Sequence, residues 1–426
     1  MPCVGGYRLK EVNMEKIKNS LPIQIFIALG LGIVAGLIFL AAGAADFTTA
    51  YIKPFGTIFL NLLKFIVVPI VITSIVQGVV SLSDIKKVGT IGLRTIIYYF
   101  CTTAFAITIG LIFANLFKGT YQLLEASSLE YEAAEPTKFM DTLVNIFPSN
   151  LFQPMVESSM LQVIVISLFV GLGIIIAGDK GLPFKEWIDS AYEVFMVIMR
   201  GIIKITPIAV FCMITNVVAE NGPKILGSLA MVLLTAYIAY AVHALFTYSI
   251  AVKTLGHMSP VKFLKGALPA FLFAFSSTSS IGTLPVTMEC AENMGARKDV
   301  ASFTLPLGAT INMDGTAIYQ GVSAIFIASC FGIHLTFGQM LTIVLTATLA
   351  SIGTAGTPGA GMIMLSMVLQ SVGLPVEGVA LVMGVDKIFD MGRTGVNVVG
   401  DLSAAMIISD YETRREMKEA AEGSYK

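Results

Sequence analysis

The chain has 426 residues, of which 55% are hydrophobic and only 13% charged, and its mean hydropathy is +0.82. Soluble domains carry about 25% charged residues; a deficit spread over most of the length points to a polytopic membrane protein and excludes an ordinary soluble one. The net charge of −1 gives no support to a nucleic-acid partner.

The first 20 residues, MPCVGGYRLKEVNMEKIKNS, are too polar for a signal peptide. Met14 offers a second start, so residues 1–13 read as a flexible tail or an upstream-start artefact without function. A spanning helix needs roughly 20 apolar residues. The candidates are residues 20–43, 51–81, 91–117, 159–178, 189–217 and 225–254. The acidic stretch 121–141 between the third and fourth reads as a flexible external loop. The five cysteines are scattered with no CxxC, and four lie in or beside apolar segments, so they read as small packing residues. The three histidines, His243, His257 and His334, show no ligand spacing.

After residue 255 the pattern changes. Apolar segments are broken by FSSTSSIGTLPV (275–286) and SIGTAGTPGAG (351–361). Non-helical backbone at membrane depth survives only inside protein or beside water. The segments 259–294 and 338–371 are therefore predicted to be two re-entrant hairpins, each followed by a long helix, 299–330 and 376–409. Pro285 and Pro358 mark a break followed by a helix start. Close packing of small residues between membrane helices would also enrich Gly and Ser, but the prolines favour re-entrant tips. Lys10, Lys16, Lys18, Lys86, Lys87, Arg94, Lys253, Lys262, Lys265, Arg297, Lys298, Arg414, Arg415 and Lys418 all fall on one side if both termini are cytoplasmic. The fold class expected is an all-α polytopic membrane protein with eight transmembrane helices and two re-entrant helical hairpins.

The two hairpin–helix units echo each other. SSIGTLP at 279 matches SIGTAGTP at 351, and NMDGT at 312–316 is echoed by DMGRT at 390–394. One unit starts inside and the other outside, so the repeats are inverted, a secondary-transporter design with substrate and ions bound near the midplane.

Asp386, Asp390, Arg393, Asn397 and Asp401 of the last helix fall within about 80° of arc at 100° per residue. Ionisable groups at such depth face the protein interior and mark a substrate or ion path. A structural ion-pair ladder is the plainer alternative, but it does not call for the amide Asn397 or for an excess of acid over base. Arg393 offers a planar fork for a carboxylate, and Asp390, one turn away, can take an ammonium. Asp314 lies in an otherwise apolar run and would be costly there alone. With Asn312, Thr310, Asn397 and Asp401 it suggests an all-oxygen cluster for a hard, releasable monovalent cation.

At these residues the chain resembles the glutamate transporter family, the dicarboxylate/amino acid:cation symporters. The resemblance rests on TLPVT (283–287), TLPLGATINMDGT (304–316), ASIGTAGTPGAG (350–361) and DMGRTGVNVVGD (390–401), and LLKFIVVPIV (62–71) and YYFCTTAFA (98–106) extend it. It covers nearly all of the chain after about residue 20, and the pattern is similar to that of the archaeal and bacterial sodium-coupled aspartate and glutamate transporters.

The resemblance implies a homotrimer in the plasma (inner) membrane, in contact with lipid, that imports aspartate or glutamate with sodium, more than one ion per substrate. The implied division is a tail at 1–19, scaffold at 20–90, a transport-domain helix at 91–117, external loop and scaffold at 118–217, transport domain at 218–409 and a cytoplasmic tail at 410–426. The transport domain would slide like an elevator with the second hairpin as its gate. The substrate's side-chain carboxylate is implied on Arg393 and Thr316, its amino group on Asp390, and its main carboxylate on Asn397 and the Ser280 region, with Thr394 and Gly361 nearby. Thr278 and Thr357 stand at the two hairpin tips. One sodium set would be Asn397, Asp401 and the carbonyls of Gly308 and Asn312. A second would be carbonyls of Thr310, Ser351, Ile352 and Thr354 near the Met313 sulfur. A third would be Tyr99, Thr102, Thr103, Asn312 and Asp314, supported from behind by Asp386.

The sequence also departs from the family pattern. Thr278 and Met391 stand where acidic-substrate members often carry a further arginine. Thr357 replaces the more usual tip residue, and Gly395 stands where Met is common, which leaves a roomier pocket. Gln320 replaces the Glu of proton-coupled animal members and argues against proton coupling through that position. The same architecture could instead carry neutral amino acids, cystine or C4-dicarboxylates. A channel would want a ring of like charge or a carbonyl filter, and no nucleophile–base pair or metal-ligand spacing suggests an enzyme.

Overall fold

The structure, a computed structural model, describes residues 21–88, 90–121, 144, 147–157, 159–351 and 360–423. The acidic segment 122–141, the first 13 residues and most of the second hairpin tip lie outside these. Among the described residues the regular structure is entirely helical. The main helices are α1 (Leu21–Ala41), α2 (Lys53–Val88), α3 (Thr90–Phe117), α4 (Met160–Ala177), α5 (Leu182–Lys204), α6 (Thr206–Asn221), α7 (Lys224–Val242), α8 (Tyr248–Thr254), α9 (Pro260–Ser277), α10 (Ser280–Met294), α11 (Lys298–Ile311), α12 (Asp314–Cys330), α13 (Phe337–Ala350), α14 (Ala360–Ser371), α15 (Val379–Met383) and α16 (Asp386–Gly423).

Among the described residues, four stretches are long and apolar enough to cross a membrane: Ile23–Ala41, Ile91–Thr120, Gln162–Lys204 and Ile225–Thr254. Ile27, Leu31, Ile97, Phe105, Leu234 and many other large apolar side chains are exposed on the helix surfaces. A chain with that outer surface is a membrane protein, because apolar side chains facing lipid have no need of burial.

The predicted span 189–217 is two helices. Pro207 lacks an N–H and disfavours a helical residue before it, so the chain pauses at Ile205 (φ −88°, ψ 0°) and α6 begins with proline in its first turn. The segment 225–254 is continuous but wider in its middle, where His243–Thr247 forms a π turn. The long helix predicted at 299–330 is interrupted at Asn312 and Met313, which have non-helical ψ of 107° and 38°. The last helix also differs from its expected bounds. It is interrupted between Met383 and Asp386 and then runs on through residue 409 to Gly423. Its charged end is held by i,i+4 pairs such as Arg414–Asp410 at 2.8 Å and by Arg94 of α3, which reaches Glu412 at 2.7 Å.

Helices α9 and α10 pack against each other as the first predicted hairpin, and α13 and α14 pack as the second. The first turns at Thr278, a non-glycine residue in the left-handed region (φ 53°), and Ser279 caps α10 by accepting from Gly282 N at 3.0 Å. The break therefore precedes Pro285 by six residues. Pro285 sits inside α10 and does not start it. Thr336 and Gln339 form a capping box that starts α13. Pro358 lies outside the described residues.

Packing divides the helices into two groups. In one, α1 lies on α6, and α2 on α4 and α5. In the other, α12 lies on α3, and α9, α10, α11 and α12 all lie on α16. The second group brings α9–α10, the broken helix α11–α12 and the polar face of α16 to one place. Of the other pair, α13 lies on α3 and α12 and α14 lies on α12, and both also touch α4 of the first group.

Candidate functional site

The interruption at Asn312–Met313 frees backbone groups at the start of α12, as every helix N-terminus does. One of them, Gly315 N, donates to Asn397 Oδ1 of α16 at 2.7 Å. The Asn397 amide Nδ2 lies 3.6 Å from the Met313 sulfur, and the Thr316 hydroxyl lies 3.6 Å from the same sulfur. Gly315 is required at this crossing, because a Cβ there would run into the backbone of Arg393.

Asn312 joins the two repeats. Its Nδ2 donates to the Asn397 carbonyl and to Asp401 Oδ1, both at 2.9 Å. Its Oδ1 is buried and has no hydrogen-bond partner. Asp401 is buried as well. Gly308, one turn before Asn312, leaves an opening that a Cβ would fill by meeting Asp401 Oδ1 and the Tyr99 hydroxyl. Asn312 turns its amide nitrogen to Asp401 and leaves its own oxygen unpartnered; amide and carboxylate oxygens are the ligand types hard cations prefer.

Asp314 heads α12, and both it and the three groups around it are buried. Thr103 of α3 donates to Oδ1 at 2.7 Å. The Tyr248 hydroxyl donates to Oδ2 at 2.7 Å, and His243 Nε2 lies 3.2 Å from the same oxygen. The π turn makes this possible. In an α-helix residues five apart point about 140° apart, whereas the extra residue of a π turn brings His243 and Tyr248 to one face, with ring centroids 4.7 Å apart. The Asp314 and Asp401 sets adjoin at Gly400, where a Cβ would stand 2.6 Å from the Tyr248 hydroxyl.

Arg393 is only 3% exposed. Its Nε and Nη2 lie 3.0 and 2.9 Å from Asp390 Oδ1, and its Nη1 lies 3.1 Å from Asp386 Oδ1. The guanidinium stands 4.9 Å over the Tyr319 ring. Gly361 of α14 lies against it so closely that a Cβ there would collide with Nη1. On the far side of Asp390, Lys387 Nζ lies 3.2 Å from Oδ2 and also donates to the Thr278 hydroxyl at the first hairpin's turn. The arginine fork thus meets the second hairpin, and the acid beside it is linked to the first.

The remaining predicted residues fall in several places. Ser280 and Thr394 are buried near these groups in sequence. Thr102 turns its hydroxyl to the Tyr99 carbonyl of its own helix at 3.2 Å. Tyr99 donates to the Thr304 carbonyl at 3.1 Å. Thr310 is exposed and bonds the Leu307 carbonyl at 2.8 Å, and Ser351 bonds the Thr348 carbonyl at 2.7 Å. Ile352, Thr354 and Thr357 lie outside the described residues. Asp386, expected behind the Asp314 set, instead faces Arg393, because Asp386, Asp390 and Arg393 share one face of α16. Sequence reasoning missed His243, Tyr248, Tyr319 and Lys387. A lysine one position after Asp386 in an apolar run was a signal for the last. The five-residue spacing of His243 and Tyr248 matches no regular helix period.

The match to known proteins spans most of the chain. Residues 21–411 fit the model of the sodium:dicarboxylate symporter family. The chain is 37% identical to a proton/sodium-glutamate symport protein of Geobacillus stearothermophilus, covering 93% of this chain and 95% of that one. It is 34% identical to the proton/glutamate-aspartate symporter of Escherichia coli (strain K12), covering 96% of both chains. It is 31% identical to a C4-dicarboxylate transport protein of Bacillus subtilis (strain 168), over 96% of this chain and 99% of the relative. With the packed helix pairs, the broken helix α11–α12 and the buried Arg393 in place, the match over residues 21–411 shows that the chain belongs to the sodium:dicarboxylate symporter family.

Proposed function

We propose that this protein is a sodium-coupled secondary symporter that imports an acidic substrate, aspartate or glutamate, across the inner membrane with both termini cytoplasmic. The observation that carries the reading is Arg393. A buried guanidinium at the meeting point of the two hairpins suits a carboxylate held bidentately. The substrate's side-chain carboxylate would replace Asp390 or Asp386 on Arg393, with Thr316 nearby, and its main carboxylate would face Asn397 and the first hairpin near Thr278 and Ser280.

Two cation sets lie on the other side of Asn397. Asn312, Asp401 and the Gly308 cradle form one, and Asp314 with Thr103 anchors the other. Sodium bound there would fix the α11–α12 break against α16 through Asn312 and Asn397. Because Asn397 also touches the start of α12, ion binding would order the wall of the substrate pocket. That shared residue is a direct route for coupling the two ligands.

The packing of the helices supports an elevator. The group made of α3, the hairpins, α11–α12 and α16 would move as one body against α1, α2, α4, α5 and α6, which would also form the contacts of a homotrimer. The relatives include one named for proton/glutamate-aspartate symport and one named for C4-dicarboxylate transport. A C4-dicarboxylate is accordingly the second reading, and the occupation of Asp390 by Lys387 favours it.

Uptake into proteoliposomes with an imposed sodium gradient tests the proposal. Radiolabelled aspartate, glutamate and succinate should divide the readings, and Arg393→Ala should abolish accumulation of every acid. Undiminished uptake by that variant would remove the carboxylate role.

A further inference from the structure

Among the described residues, the charge cluster around Arg393 holds two carboxylates, Asp386 and Asp390, and a second cation, Lys387. Lys387 is the next residue after Asp386 and lies one turn before Asp390 on α16. Its side chain is 15% exposed, against 9% for Asp390. Its ammonium lies on Asp390 Oδ2 at 3.2 Å and on the Thr278 hydroxyl. The opposite oxygen, Oδ1, is taken by Arg393 at 2.9 and 3.0 Å. Both oxygens of Asp390 are therefore engaged by cations of the protein itself.

We propose that Lys387 is a specificity-determining residue: its ammonium occupies the position on Asp390 that the ammonium of an amino-acid substrate would need. This rests on the reading of the Arg393–Asp390 pocket as the substrate site. An amino-acid substrate must either move Lys387 off Asp390 or place a second ammonium beside it, and like charges this close repel strongly in a dry site. A dicarboxylate without an amino group meets no such competition. It meets two cations, Arg393 and Lys387, balanced by two carboxylates, Asp386 and Asp390, and can compete for their hydrogen bonds without bringing a further positive charge to Asp390. The turn residue Thr278 holds the ammonium from the other side, so the lysine is fixed in place and is not a mobile surface charge.

A plainer role is possible for the same contacts. Lys387 could act only as a tether between the first hairpin and α16. The two roles predict different data. A lost tether weakens all substrates together, whereas a lost competitor strengthens amino-bearing substrates and weakens those without an amine.

The test is calorimetric binding of L-aspartate and of succinate to the purified full-length protein in saturating sodium. The proteins compared are wild type, Lys387→Met and Lys387→Arg, with Lys387→Gln measured in the same way if the Met variant does not fold. Removing the charge should shift the ratio of the two dissociation constants by about tenfold or more in favour of aspartate. Lys387→Arg should stay near the wild-type ratio. An unchanged ratio in the uncharged variants, or an equal loss for both acids, overturns the proposal and leaves the pocket assignment standing. A wild-type protein that binds neither acid overturns both.

Discussion

His243 and Tyr248 lie five residues apart and reach the same carboxylate oxygen, Oδ2 of Asp314, at 3.2 and 2.7 Å. The π turn His243–Thr247 is what aligns them. With Thr103 on the other oxygen, a carboxylate at the start of α12 is met by α3 and by both sides of the π turn. A buried acid is thereby kept where a cation could use it, at a helix interruption and in contact with three elements.

Replacing Tyr248 by Phe removes one donor and keeps the ring. Asp314 Oδ2 keeps His243 at 3.2 Å, so the loss is that of one hydrogen bond, about 0.5–1.5 kcal/mol net. Tyr248→Phe should lower the thermal unfolding midpoint of the purified protein relative to wild type. An unchanged midpoint would mean that the hydroxyl does not stabilise the Asp314 set.

Gly308→Ala puts a methyl group between Asp401 and Tyr99. The cradle is filled while the helix α11 gains a better helix former. Because the methyl collides with the buried Asp401 carboxylate and Tyr99 hydroxyl, stability without sodium should fall by about 1–3 kcal/mol, and the sodium concentration needed for half-maximal substrate binding should increase by on the order of tenfold. A sodium requirement identical to wild type would place the ion elsewhere.

Gly361 and Gly315 both approach Arg393, from different sides. At Gly361 the obstacle is the end of a long side chain, which can move; at Gly315 it is backbone, which cannot. Gly361→Ala should fold and lose acidic-substrate affinity, because the guanidinium is displaced. Gly315→Ala should instead lower the yield of folded protein. Thermal unfolding and binding measured together on the two variants check the distinction, and equal behaviour would contradict it.

Arg393→Lys keeps the charge and removes the planar fork. Truncating or misplacing one partner of a buried charge pair costs about 2–5 kcal/mol, so affinity for a dicarboxylate should fall by at least about 30-fold. Binding assays with succinate and aspartate read the loss. Full affinity in the Lys variant would show that a point charge is enough.

The arc of Asp386, Asp390, Arg393, Asn397 and Asp401 was legible because a regular helix turns a spacing of three and four residues into a face, and the rest of that helix is apolar. The turn between α9 and α10 was legible because Ser and Thr interrupt an apolar run too long to be a loop, while Pro285 lies inside α10 and does not mark the break. Other features do not follow from periodicity. The breaks at Ile205 and at Asn312–Met313 depend on proline sterics and on partners from distant helices. His243 shows no ligand spacing in the sequence, and only the π turn His243–Thr247 brings it beside Tyr248. Lys387 was passed over because its importance comes from Thr278, which is 109 residues away.

The most direct measurement is the dissociation constant of L-aspartate, or of succinate if that binds more tightly, across a sodium titration at fixed ionic strength and pH. Asn397 touches both Gly315 at the start of α12, beside the proposed substrate site, and Asn312 of the proposed cation set. The constant should therefore rise steeply as sodium is lowered, with a slope corresponding to more than one ion. Binding that is indifferent to sodium and follows pH alone would contradict sodium coupling through these residues.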